Sequence, residues 1–231
     1  MGAAREDDQP GLTLGIDAFR RDGALKLPRL FGEAALARLR ALDVRGPGSR
    51  LQDPTLPELI APARAVASEL LGGDAFPVRA VLFDKTVDGN WAVGWHQDRA
   101  IPVRERVDVE GFGPWSRKDG ILHAAPPVAV LERMATLRIH IDPVDADNAP
   151  LVAALGTHRI GMTPAADAAA IAERHPQVVC FAEPGDVWAY STPILHASER
   201  ACRPRRRRVL QVDFAVDALP GGLEWAGIGA G

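Results

Sequence analysis

The chain has 231 residues, 47% of them hydrophobic, and 27 Lys and Arg stand against 30 Asp and Glu for a net charge of −3. This length can bury a sizeable core in a single domain over 1–231, and the near balance of charge leaves no electrostatic footprint for a nucleic-acid or anionic-membrane partner. Two cysteines, Cys180 and Cys202, do not make a secreted disulfide framework, and the apolar runs hold neither a membrane span nor a signal peptide. The expectation is a soluble, cytoplasmic monomer or homodimer with a flexible leader over 1–14.

After the leader, AFRRDGALKLPRLFG and EAALARLRAL read as helical or mixed covering elements, and LPELIAPARAVASELLG as an apolar-periodic helix starting near Pro57. From Phe76 the texture changes. FPVRAVLFDKTV, LRIHID, QVVCFAE, GDVWAYST, PILHAS and RRVLQVDFAV are short, β-branched or alternating runs punctuated by Gly, Pro and Asn, the pattern of strands in an antiparallel sandwich. Helices first and strands afterwards predict a mainly β core with helices packed outside it.

Alternation divides the strands further. Leu210, Val212 and Phe214 share one face and Arg207, Val209, Gln211 and Asp213 the other; Leu137, Ile139 and Ile141 likewise oppose Thr136, Arg138 and His140. The apolar faces are core. The mixed faces line a polar pocket if they point inside a jelly roll, or meet solvent if they do not.

The chemistry-bearing residues lie among these strands. His96 and Asp98, in His-Gln-Asp, are followed about a hundred positions later by His196. Two histidines and a carboxylate can occupy one face of an octahedron around non-haem iron(II), leaving positions open for a cosubstrate and dioxygen. Arg207 lies eleven residues after His196, where a chain turning into its next strand can aim a guanidinium at the far carboxylate of a chelating keto acid. Arg205 is its rival within RPRRRR, and strand register favours Arg207. Ser198 returns to the face of His196 two residues on. Lys85 is a second candidate anion partner, and Asn90 and Trp91 lie on the approach to His96.

The segments WHQDRAIPVRERVDVEGFGPW, LRIHIDPVDADNAPLVAALGTHRIG, GDVWAYSTPILHASE and RRVLQVDFA resemble the phytanoyl-CoA dioxygenase family of iron(II) and 2-oxoglutarate-dependent oxygenases, from about Asp17 to Phe214. The resemblance implies a double-stranded β-helix (jelly-roll, cupin-like) fold. It implies Fe(II), 2-oxoglutarate and O2, with His96, Asp98 and His196 as metal ligands, Arg207 as the 2-oxoglutarate arginine and Ser198 as the hydroxyl beside it. His140 is a candidate for the cosubstrate or the shell behind it. A carboxylate at Asp98 points to oxygen transfer, since related halogenases keep a small residue there for chloride. The expected reaction is hydroxylation of a small-molecule substrate. Desaturation, epimerisation or ring formation at the same centre, or a non-enzymatic metal-binding β-barrel, are the alternatives.

The chain departs from the family pattern at Ala149, where a glycine commonly follows Asn148, so the turn geometry there is open. His158, in GTHR, reads as structural, and His123 and His175 as loop or surface residues. VDVEGFGPWSRKDGILH, with glycine hinges around Phe112 and Trp115, reads as a substrate-facing loop.

Overall fold

The structure, a computed structural model, describes residues 10–43, 46 and 48–228, with side chains from Gly15 onward. Its first third is mostly helical: α1 (Pro10–Asp22), β1 (Ala24–Leu27), α2 (Glu33–Arg40), β2 (Gly48–Arg50), α3 (Leu56–Leu59) and α4 (Ala61–Leu71). Then come β3 (Phe76–Lys85), β4 (Val93–His96), β5 (Ile101–Val103), β6 (Trp115–Lys118), β7 (Ile121–Ala124), α5 (Val128–Glu132), β8 (Met134–His140) and β9 (Leu151–Ala154). A single 3-10 turn at Thr157–Arg159 leads to α6 (Ala168–Ala172), β10 (Gln177–Val179), β11 (Val187–Ser191), β12 (His196–Ser198) and β13 (Arg207–Ala215).

The strands form three antiparallel sheets. The largest has the order β1-β11-β8-β13-β3-β2, a second β10-β9-β12-β4, and a third β5-β7-β6. The first two face each other as a jelly roll, meeting through Leu151 and Ala153 of β9 and Trp188 and Tyr190 of β11. On the outer face of the large sheet, Leu82, Leu137, Ile139, Leu210, Val212 and Phe214 are buried against Leu39, Leu56, Ile60, Ala63 and Leu70 of the helices. Removing this apolar area from water is the main drive holding helices to sheet.

The opposite face is polar because the side-chain period is two. Asp213 lies in register with Arg79 on one side and Thr136 on the other, Gln211 with Arg138, Val209 with His140, and Arg207 with Lys85. The mixed faces read from the sequence thus point into the roll, stacked as rungs.

Several expectations are corrected. Of the leader 1–14, residues 1–9 lie outside the described residues, while 10–14 already belong to α1; a proline can open a helix because its missing N–H has no intrahelical partner there. Within the stretch expected as helical or mixed, ALKL is edge strand β1 of the large sheet, paired to β11. Gly23, at φ 77°, ends α1 in a conformation that also keeps the chain clear of His158, whose Nδ1 would lie 2.2 Å from an added Cβ. The helix expected from Pro57 is two, broken at Ile60 (φ −97°, ψ 11°); Pro62 lacks the N–H that would continue the ladder. Of QVVCFAE only Gln177–Val179 is strand.

The segment expected as a substrate-facing loop instead carries the β6–β7 hairpin. Its Phe112 and Trp115 pack against the buried cluster of Val78, Ile101, Val103, Leu131 and Leu219, which gives their aromatic surface an apolar partner away from the His96 strand. His123 is therefore no surface residue: it is fully buried in β7, its Nδ1 donates to Ile121 O at 3.0 Å, and burial presses its pKa down to about 4. His158 does serve structure, with Nε2 3.2 Å from Arg20 O, and half-buried His175 bonds Leu155 O at 3.0 Å.

Ala149 adopts φ 53°, the left-handed region where a Cβ is costly. Its carbonyl accepts from both Arg207 and Ser198 (3.3 Å from Oγ), which pins the strained turn. Ala149→Gly is expected to stabilise the fold by about 0.5–1 kcal/mol, the relief of strain being partly offset by greater freedom of the unfolded chain. A melting midpoint that fell would contradict this.

Candidate metal centre and anion pocket

His96 and His196 face each other across the β4–β12 ladder as a register pair, with ring centroids 4.3 Å apart. In both rings Nδ1 lies beside the carbonyl two residues earlier, Gly94 O at 2.8 Å and Ile194 O at 3.0 Å. A carbonyl only accepts, so each Nδ1 carries a proton, which leaves Nε2 as the nitrogen that can offer a lone pair to a metal. Burial holds the His196 pKa at about 4 despite the opposing pull of Asp98, so its ring is neutral at neutral pH.

Gln97, between the two candidate ligands, points the other way. It is buried, donates to Gly161 O at 2.9 Å and Pro193 O at 2.7 Å, and accepts from Thr163 N at 2.8 Å. It thereby fastens the His96 strand to the chain entering β12. Asp98 is half-buried, with Gln211 Nε2 3.5 Å and Arg79 Nη2 3.6 Å from its oxygens. Burial works against its charge, but the Arg79 guanidinium leads the neighbours that hold its carboxyl below the ordinary range. Among the described residues, no three or more His, Cys, Asp or Glu side chains stand grouped to hold a metal ion; Asp98 is engaged with Arg79 instead. The donor chemistry nonetheless fits a divalent ion, with two imidazoles free at Nε2 and an ionised carboxylate beside one cavity.

Arg79 itself is clamped by Asp213, which also accepts from Thr136 Oγ1 at 3.0 Å. Tyr190 is buried with its ring 5.2 Å from His196, and burial, reinforced by Asp98, raises its pKa so that the hydroxyl stays protonated.

The cavity these groups share measures about 160 Å³ and runs from His96, Asp98 and His196 to Lys85, Ser198 and Arg207. Arg207 is buried, and its Nη1 donates to Ala149 O while its Nε has no partner. Burial and Arg138 lower its pKa to about 10, which leaves it charged at neutral pH. Lys85, in register with Arg207, donates to Trp91 O at 2.7 Å and lies 3.4 Å from Ser198 Oγ, over the Trp91 ring. Burial, with Arg207 and Arg138 adding to it, brings the Lys85 pKa down to about 8.

The fold thus brings His96, Asp98, His196, Ser198, Lys85 and Arg207 to one cavity, with Trp91 on its wall. Asn90 instead braces Ala201, accepting from its N at 2.8 Å and donating to its O at 3.0 Å. His140 faces inward with both ring nitrogens buried and unpartnered, and burial, then Arg138 and Arg207, press its pKa to about 3, so it is neutral. Arg205 is exposed and paired with Asp145. The sequence set Arg138, Gln211 and Asp213 on candidate pocket faces without giving them a role, and it did not single out Arg79 or Tyr190, although the two-residue period already set Arg79 on the face of Lys85.

The profile of the phytanoyl-CoA dioxygenase (PhyH) family matches residues 49–209, more than two thirds of the chain. The chain belongs to that family. No curated protein sequence matches this family member closely enough to count as a relative. Among solved structures it is similar to AviO1 from Streptomyces viridochromogenes Tue57, at 20% identity and a TM-score of 0.65 over 95% of this chain and 99% of that one. EctD from S. alaskensis, in its apoform, aligns at 20% identity and a TM-score of 0.68 over 93% and 80% of the two chains. The epimerase SnoN, in complex with Fe3+, alpha ketoglutarate and nogalamycin RO, aligns at 15% identity and a TM-score of 0.66 over 92% and 91%. At these identities the likeness bears on the fold, and it agrees with the jelly-roll topology. No helix among the described residues is long and apolar enough to cross a membrane.

Proposed function

We propose that this protein is a non-haem iron(II), 2-oxoglutarate-dependent dioxygenase that couples oxidative decarboxylation of 2-oxoglutarate to succinate and CO2 with hydroxylation of a small-molecule substrate. One observation carries the reading: a single cavity has two metal-ready imidazoles and a carboxylate at one end and a buried cluster of Arg207, Lys85 and Ser198 at the other. His96, Asp98 and His196 would hold the iron, which when bound supplies activation of dioxygen.

The chain's own residues then bind and orient. Gly94 O and Ile194 O keep the imidazoles in the ligand tautomer. Arg207 and Ser198 take the distal carboxylate, with Lys85 adding charge, and the sheet walls keep the dicarboxylate out of bulk water. Neighbouring structures described as holding Fe or 2-oxoglutarate with 5-hydroxyectoine support the cofactor set. The test is succinate formation from 2-oxoglutarate by the Fe(II)-loaded protein in air. No succinate above the metal-free control would overturn the proposal.

The same centre can instead desaturate, epimerise or close a ring, because the outcome depends on substrate placement; the epimerase SnoN and the carbocyclase SnoK share this fold. Product analysis separates these outcomes. Asp98 occupies the position that chloride would need, so turnover is expected to proceed without chloride and give no chlorinated product, as mass spectrometry would reveal.

Lys85 makes cosubstrate binding depend on pH. With its pKa at about 8, the ammonium is present below that pH and lost above it, so 2-oxoglutarate affinity is expected to fall as pH rises through 8. Lys85→Met is expected to bind more weakly at pH 7 and to lose this inflection. An unchanged inflection in the variant would assign it to another group.

A further inference from the structure

The cavity carries more positive charge than one distal carboxylate accounts for. Lys85, Arg138 and Arg207 line it against one carboxylate, Asp98. Arg138 is only 7% exposed, and its Nε is buried without a partner. Its Nη1 donates to Gln211 Oε1 at 2.7 Å, a neutral acceptor, while half-buried Asp98 and buried Asp213 are engaged by Arg79. A buried guanidinium whose Nη1 meets a neutral amide and whose Nε has no partner is an unfavourable arrangement until an anion joins it.

Its position says which anion. Arg138 is rooted opposite Gln211, whose amide reaches Asp98 at 3.5 Å, and its guanidinium carbon lies 5.4 Å from the centre of the Phe83 ring, one rung nearer Arg207. It therefore stands between the His96–Asp98–His196 end and the Arg207–Lys85–Ser198 end. We propose that Arg138 is a second anion anchor, binding the carboxylate at the 2-oxo end of the cosubstrate while Arg207 binds the distal one. The inference rests on the proposed use of a 2-oxo acid. It adds a consequence: the carboxylate that Arg138 holds is the one released as CO2, so succinate, one carbon shorter, keeps the Arg207 contact and is expected to bind more weakly than 2-oxoglutarate.

Two ligands separate the anchors. 2-Oxovalerate keeps the 2-oxo acid end and replaces the distal carboxylate by a methyl group. Calorimetric titration of Mn(II)-loaded protein is expected to show Arg138→Met weakening 2-oxoglutarate and 2-oxovalerate by the same factor, about ten- to a hundredfold. Arg207→Met should weaken 2-oxoglutarate alone. Arg138→Lys, which keeps the charge and loses the planar fork, is expected to recover part of both affinities, and it carries the same comparison if the Met variant does not fold. Equal binding by wild type and Arg138→Met, or a loss confined to 2-oxoglutarate, overturns the proposal. So does a loss of Mn(II) affinity alone, which would make Arg138 a prop for Gln211 and Asp98. Failure of wild-type protein to bind either ligand would instead overturn the oxygenase reading.

Discussion

His196→Ala is expected to abolish iron-supported succinate formation while leaving the fold in place, and His96→Ala and Asp98→Ala are expected to do the same. His96 and His196 meet across a ladder whose backbone bonds survive loss of the rings, and Gln97 continues to tie the His96 strand to Gly161, Thr163 and Pro193. What is lost is a donor. With two of three ligands remaining, iron affinity should drop by more than the roughly 10–100-fold typical of losing a supporting hydrogen bond. Metal titration with circular dichroism reads both halves. Full iron affinity in any one variant would sink the three-ligand assignment.

Arg79 adds a finer test of the same site. Its guanidinium favours an ionised Asp98 and is itself clamped by Asp213. Arg79→Met is expected to weaken iron binding by about 10–100-fold without abolishing it, as loss of a supporting partner does. A variant as impaired as Asp98→Ala would mean that Arg79 does more than orient the carboxylate.

What could be read from the sequence followed the range over which the physics acts. That Arg207, rather than Arg206 or Arg208, turns inward was legible because β13 keeps its register from Arg207 to Asp213, so alternation decides which of these side chains point inward. The polar faces of β8 and β13 were legible for the same reason, although alternation leaves open whether such a face meets a cavity or solvent. That was decided by the second sheet, which brings His96 and His196 opposite the rungs. The Arg79–Asp213 pair was not legible, since its partners are 134 residues apart and meet only through the β3–β13 register. Short segments failed differently: ALKL is four residues, too few for periodicity to distinguish strand from helix. Phe112 and Trp115 of VDVEGFGPWSRKDGILH suggested a substrate-facing loop, but both are partly buried against an apolar cluster that includes Ile101 and Leu131.

Arg207→Ala is expected to raise the 2-oxoglutarate requirement about ten- to a hundredfold while leaving iron affinity nearly unchanged, the effect of losing one charge-assisted contact of about 1.5–3 kcal/mol. The four successive arginines differ in what they touch. Arg205 pairs with Asp145, Arg206 with Asp84 and Arg208 with Asp142, each meeting a carboxylate. Arg207 alone of the four turns inward, where its protein partner is the Ala149 carbonyl and its Nε has none. A guanidinium left without a counter-ion inside a cavity gains most when a dicarboxylate enters. Arg205→Ala and Arg206→Ala are the controls, because they lower the charge of the run equally but remove guanidinium groups that are themselves exposed and do not line the cavity. Their effect on 2-oxoglutarate is expected to stay within about twofold. Equal losses in all three variants would show that a diffuse basic patch, rather than one directed contact, draws the cosubstrate in. A loss confined to Arg205→Ala would mean that the chain enters β13 two residues out of the register described, and the assignment to Arg207 would fall with it.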